Sequence, residues 1–101
     1  MIVVRDIFQL KFGQSKEATA HWKQGLAVIG KSSFGAGTVR LLTDMAGLPY
    51  YTLILESTFS SAAQWEEASK SLRADPQWRD WYAKVPAFTE SGRREILATI
   101  D

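Results

Sequence analysis

TVRLLTD, residues Thr38–Asp44, and YYTLILESTF, residues Tyr50–Phe59, are two β-rich segments separated by Met45-Ala46-Gly47-Leu48-Pro49. Gly and Pro in so short a connection mark a reversal, so the pair reads as an antiparallel hairpin. Its four or five connecting residues leave the register open. In the second segment Tyr51, Leu53, Leu55, Ser57 and Phe59 share one face, and Tyr50, Thr52, Ile54, Glu56 and Thr58 share the other. One face is mainly apolar and its reverse is mixed.

Outward from this hairpin the pattern changes to helix on both sides. Upstream, Ser15 or Gln14 opens a helix to about Gly30 or Lys31, on which Ala18, Trp22, Leu26 and Ile29 form one stripe, widened by His21, Gly25 and Val28. Gly25 inside it costs about 1 kcal/mol relative to alanine, tolerable where a helix must lie close to something. Ser32–Gly37 (SSFGAG) is a turn. Its GxG lacks the spacing and Lys of a phosphate loop and the strand-to-helix setting of a dinucleotide fingerprint. Further upstream Ile2–Phe12 (IVVRDIFQLKF) is a strand, with Ile2, Val4, Phe8, Leu10 and Phe12 on one face and Val3, Arg5, Ile7, Gln9 and Lys11 on the other.

Downstream, Ser60 is the expected N-cap of a second helix with Trp65, Ala68 and Leu72 as its core stripe. Pro76 breaks it, and Asp75 then caps a shorter helix carrying Trp78, Trp81, Tyr82 and Val85. Pro86–Gly92 reads as a connector and Arg93–Ile100 as the closing strand.

The order β-α-β-β-α-β is a split βαβ unit with its second half. It predicts an α+β, ferredoxin-like domain over residues 1–101, a four-stranded antiparallel sheet with both helices on one face. Strands apolar on both sides need a cover on each. The helices supply one, so a second copy's sheet is expected on the other, as a homodimer.

Composition narrows the chemistry. The chain has 101 residues, with twelve Lys and Arg against eleven Asp and Glu, no Cys and one His. A net charge of +1 gives no electrostatic case for nucleic acid or an anionic membrane. Without Cys, and with His21 alone, disulfides, thiolate nucleophiles, Cys-bearing zinc sites and histidine-rich metal centres drop out, so no metal or cofactor is expected. No basic region precedes the first apolar run and no apolar stretch reaches eighteen residues, so neither a signal peptide nor a membrane span is expected. The expected location is the cytoplasm.

The phrase Phe59-Ser60-Ser61-Ala62-Ala63-Gln64-Trp65-Glu66-Glu67-Ala68, the later Ala74-Asp75-Pro76-Gln77-Trp78, and the element order over the whole chain resemble the dimeric α/β-barrel superfamily. The nearest likeness is to NIPSNAP-like proteins, and the next to the antibiotic-biosynthesis monooxygenases. The matching segments specify packing and capping, not catalysis. The resemblance implies sheet-against-sheet protomers, each with a pocket between sheet and helices. In the monooxygenase relatives such a pocket oxidises phenolic or quinol substrates without metal or organic cofactor, and other relatives degrade haem.

Candidate site residues follow from residue type. His21 alone has an ordinary pKa near neutrality, so acid–base work would fall first to it; a satisfied position at the border of the core stripe is the other reading. Arg5, Arg40 and Glu56 are charges inside strands, which serve either as ion pairs in the dimer or as pocket groups holding an anionic or phenolic ligand. Asp6 and Asp44, nearer strand ends, are expected in solvent. Four Trp, three Tyr and five Phe are a large aromatic payload. Trp22, Trp78, Trp81 and Tyr82 are the ring candidates for contact with a small aromatic or apolar ligand, although rings of that size also build thin cores. Three functions result: a NIPSNAP-like small-molecule-binding dimer without an assignable catalytic set; a cofactor-independent monooxygenase using His21, Arg40 and Tyr51; or a structural interaction domain with a filled pocket.

Overall fold

The computed structural model describes residues 1–36 and 38–101; Gly37, the end of the expected turn, lies outside the described residues. The elements are β1 (Ile2–Leu10), α1 (Ser15–Gly30), β2 (Thr38–Thr43), β3 (Thr52–Phe59), α2 (Ala62–Ala74), α3 (Pro76–Tyr82) and β4 (Thr89–Ala98), with 3-10 turns at Ser33–Ala36 and Val85–Phe88. All sheet pairings are antiparallel, in the order β2-β3-β1-β4. This is the ferredoxin-like arrangement that the element order predicts.

Alternation along the strands sorts their side chains. Val4, Phe8, Leu10, Leu53, Leu55 and Phe59 are buried against Ala18, Trp22 and Ile29 of α1 and Ala68 and Leu72 of α2. The helix that follows Asp75 is capped as expected, Asp75 Oδ1 accepting from the Gln77 N–H at 2.9 Å with Pro76 at its first position. The α2 cap is Ser61 rather than Ser60: Ser61 Oγ accepts from the Gln64 N–H at 3.1 Å, while Gln64 Oε1 reaches back to the Ser60 N–H at 2.8 Å.

The expected dimeric α/β barrel is corrected by the sheet itself. The sheet is open, with β2 and β4 as its two edges, and nothing joins them. Neighbouring strands rotate by only about 20–25°, so four of them twist without returning to the first. The face away from the helices carries a charged row in register, Arg40–Glu56–Arg5–Glu95, one residue from each strand. Leu42, Ile54 and Ile7 lie on one side of that row, and Val3 and Leu97 on the other.

β4 also starts earlier than the sequence suggests. Glu90-Ser91-Gly92 resembles a turn but is strand, with Gly92 opposite Phe8. A Cβ at Gly92 would stand 3.1 Å from the Phe8 ring, so glycine lets that ring lie against β4.

Candidate functional site

β4 is exposed along nearly its whole length. Between its helix-side face, β1, α2 and α3 lies an open cleft of about 940 Å³. Its floor and walls are Phe8, Trp22, Leu55, Leu72, Trp78 and Val85, so the same alternation and helix stripes that make the core also make the cleft apolar. The volume falls in the range of small-molecule sites.

A half-buried ion pair interrupts this apolar floor. Asp6 of β1 and Arg94 of β4 face each other across the ladder, and Arg94 Nε donates to Asp6 Oδ1 at 2.6 Å. The Asp6 side chain is only 15% exposed, so it is no solvent-facing strand-end residue, and pairing is what makes its burial tolerable. The Arg94 guanidinium also lies over the Trp65 ring, 5.2 Å from its centroid, a cation–π contact. Tyr82 of α3 lines the same cleft. Burial pushes its phenol above the usual 10.0, and the Asp6 charge adds to this against the opposing effect of Arg94, so the hydroxyl stays a proton donor across the neutral range. Trp22 Nε1 and Thr89 Oγ1, buried polar atoms on cleft-lining residues, have no hydrogen-bond partner among the described residues.

Of the residues singled out from sequence, the cleft gathers Trp22, Trp78 and Tyr82. His21 is elsewhere. Its ring stacks on Trp81 at 4.4 Å and 6°, and its Nε2 lies 2.9 Å from the Trp81 carbonyl oxygen, while Trp81 Nε1 donates to the His21 carbonyl at 2.9 Å. The two residues lock α1 to α3 and line a separate shallow hollow. Arg5, Arg40 and Glu56 form a triad on the opposite face of the sheet, with Arg5 Nε on Glu56 Oε2 at 2.9 Å and Arg40 Nε on Glu56 Oε1 at 2.8 Å. The Arg5 hydrogen bond is the main cause holding the Glu56 carboxyl below its ordinary 4.5, against its own burial and with Arg40 assisting. Tyr51 sits at the entry to β3 with φ 60°, its ring edge-on to Phe12 at 5.2 Å, away from the cleft.

Sequence reasoning passed over Asp6, Arg94 and Trp65 as a group. The signal was present in half: position 6 is a charge within the face formed by Ile2, Val4, Phe8 and Leu10, and a charge in that row needs a partner. The partner is 88 residues away. Among the described residues no three His, Cys, Asp or Glu side chains come together where they could hold a metal ion.

Neither a protein-family model nor a curated protein matches the sequence. Solved structures do match. An uncharacterized NIPSNAP domain protein from Burkholderia xenovorans superposes with a TM-score of 0.87 at 18% identity, over 99% of this chain and 95% of its own. A NIPSNAP family protein from Agrobacterium tumefaciens gives 0.87 at 20% identity, over 99% and 93%. The fold is that of the NIPSNAP proteins. A cofactor-independent oxygenase, SnoaB from Streptomyces nogalater, shares the architecture at greater distance, with a TM-score of 0.69 at 11% identity over 99% and 93%. The NIPSNAP fold here thus comes with a cleft on the helix side of the sheet, and no helix among the described residues is long and apolar enough to cross a membrane.

Proposed function

We propose that this chain is a NIPSNAP-family protein that binds a small molecule in the cleft between β1, β4, α2 and α3. The observation that carries the reading is the cleft itself: about 940 Å³, floored by aromatic and aliphatic side chains, with the Asp6–Arg94 pair and Tyr82 on its wall and further polar groups, Arg73, Arg79 and Glu90 among them, also in its lining. That composition suits an amphipathic ligand oriented by one polar end. Trp78 and Tyr82 are its contact residues in this reading, while the fully buried Trp22 packs beneath the cleft floor. Binding is favoured over cofactor-independent oxygenation because His21, the side chain best suited to acid–base work at neutral pH, packs against Trp81 outside the cleft.

The test is fluorescence titration with small aromatic compounds, since Trp22, Trp65 and Trp78 all line the cleft. Saturable binding is expected, and Ala83→Trp, which places an indole at an exposed position on the cleft wall, should remove it. Absence of saturable binding across neutral, anionic and cationic aromatics would overturn the proposal.

The proposal includes a homodimer in the cytoplasm. The apolar groups Val3, Ile7, Leu42 and Leu97 beside a charge-balanced row support coverage of the outer face by a second copy. A chain without cysteine suits a reducing compartment. Sedimentation equilibrium at micromolar concentration should give twice the chain mass; a monomer would refute the dimer.

A further inference from the structure

Resting on the reading that the cleft binds a small molecule, we infer that its ligand is a planar aromatic carboxylate, held through the free N–H groups of Arg94. The guanidinium has five N–H donors. Asp6 is its only acceptor among the described residues, engaged from the Nε side. One carboxylate on that side can take at most two of the five, so the outward edge, with N–H groups from both terminal nitrogens, is left for another oxyanion. That edge is the bidentate fork that fits a carboxylate.

The guanidinium is also oriented before any ligand arrives. Asp6 anchors it through Nε, and the Trp65 ring lies under its Cζ at 5.2 Å. Ordering costs that a flexible arginine would bear on binding are therefore small here.

Local charge decides between an anion and a cation. Asp6 is spent on Arg94, and Arg93 at the rim is spent on Glu95 at 2.6 Å. Arg73 and Arg79, from α2 and α3, line the cleft with no carboxylate at ion-pair distance among the described residues, against the single unpaired Glu90. The residual charge around the opening is positive. Beyond Arg94 the walls are rings, Phe8, Trp22 and Trp78 among them, which suit a flat apolar body stacked or edge-on.

The experiment compares naphthalene-2-carboxylate with its neutral isostere 2-naphthamide on the intact chain at low salt. The carboxylate should bind about tenfold more tightly or better. Arg94→Gln should bring the two affinities within about twofold while naphthamide binding persists, which also shows that the variant is folded. Arg94→Lys keeps a charge for Asp6 but loses the fork, and should reduce the preference to about threefold. Equal wild-type affinity for acid and amide would overturn the carboxylate inference and leave the binding reading standing; failure of both probes to bind would overturn the carboxylate inference, and failure of the wider aromatic panel as well would overturn the binding reading. An undiminished preference in Arg94→Lys would refute the assignment to the Arg94 fork.

Discussion

Gly25→Ala is the perturbation on which helix propensity and packing disagree in sign. Alanine inside an exposed helix gains about 1 kcal/mol over glycine. At position 25, however, a Cβ would stand 2.4 Å from Trp81 Cζ2, 2.6 Å from Cη2 and 2.8 Å from Cε2. Carbon atoms rest at about 3.5–4.0 Å, so the indole or the helix must retreat by roughly 1 Å. The indole has little room to do so. It stacks on His21, meets Trp22 edge-on at 4.7 Å and Trp78 at 5.0 Å, and donates to the His21 carbonyl. Overpacking of this kind costs about 1–3 kcal/mol, and a weakened indole hydrogen bond adds about 1 kcal/mol. Set against the propensity gain, Gly25→Ala should destabilise the fold by about 1–3 kcal/mol. For a chain of this size each kcal/mol lowers Tm by about 4–8 °C. The assay is urea unfolding followed by far-UV circular dichroism. Gly30→Ala is the matched control, since a Cβ there meets nothing within 4 Å; it should be neutral or slightly stabilising. In a Trp81→Leu background the Gly25→Ala penalty should fall to about zero. A Gly25→Ala protein as stable as the parent would refute the close α1–α3 packing.

Two further predictions concern charge. Glu56→Gln should cost about 1–2 kcal/mol near neutral pH, a modest value because Arg5 and Arg40 are 40% and 63% exposed. Because the folded-state carboxyl lies below its unfolded value near 4.3, the stability it supplies is present above that pH and disappears as pH falls through the folded value. The stability gap between parent and Glu56→Gln should therefore shrink progressively as pH is lowered from the ordinary 4.5 through the depressed range of the folded carboxyl, as read by urea unfolding at stepped pH; a gap that does not shrink in acid would contradict the triad. For Tyr82, whose phenol burial holds above the usual 10.0, absorbance at alkaline pH should show a late ionising component that Tyr82→Phe removes.

The architecture was legible because alternation and helical stripes are local. A period of two in Tyr51–Phe59, a stripe through Ala18, Trp22 and Ile29, and the Asp75-Pro76 step each report their own segment without knowledge of its neighbours. The start of β4 was not legible, since Glu90-Ser91-Gly92 has turn composition and becomes strand only through pairing with β1. Barrel closure came from a family likeness and failed because an open four-stranded sheet has two free edges.

The site divides in the same way. Trp22, Trp78 and Tyr82 could be found by residue type, because large rings near helix stripes border either core or cavity. His21, Arg5, Arg40 and Trp81 carry the same attractive chemistry, yet strand parity and helix phase set them on other surfaces, and Tyr51, just before β3, packs edge-on to Phe12 instead. Asp6 and Arg94 become partners only when the first and last strands meet. That is information about topology, and no spacing within either segment contains it.

The most direct test of the cleft is 15N–1H NMR of arginine Nε–H and tryptophan indole N–H signals while naphthalene-2-carboxylate is added. The account predicts that Arg94 Nε–H and the Trp65 and Trp78 indoles shift together with one saturating curve, while Arg5 and Arg40 on the outer face stay in place. Movement of Arg5 and Arg40 with Arg94 unmoved would contradict it.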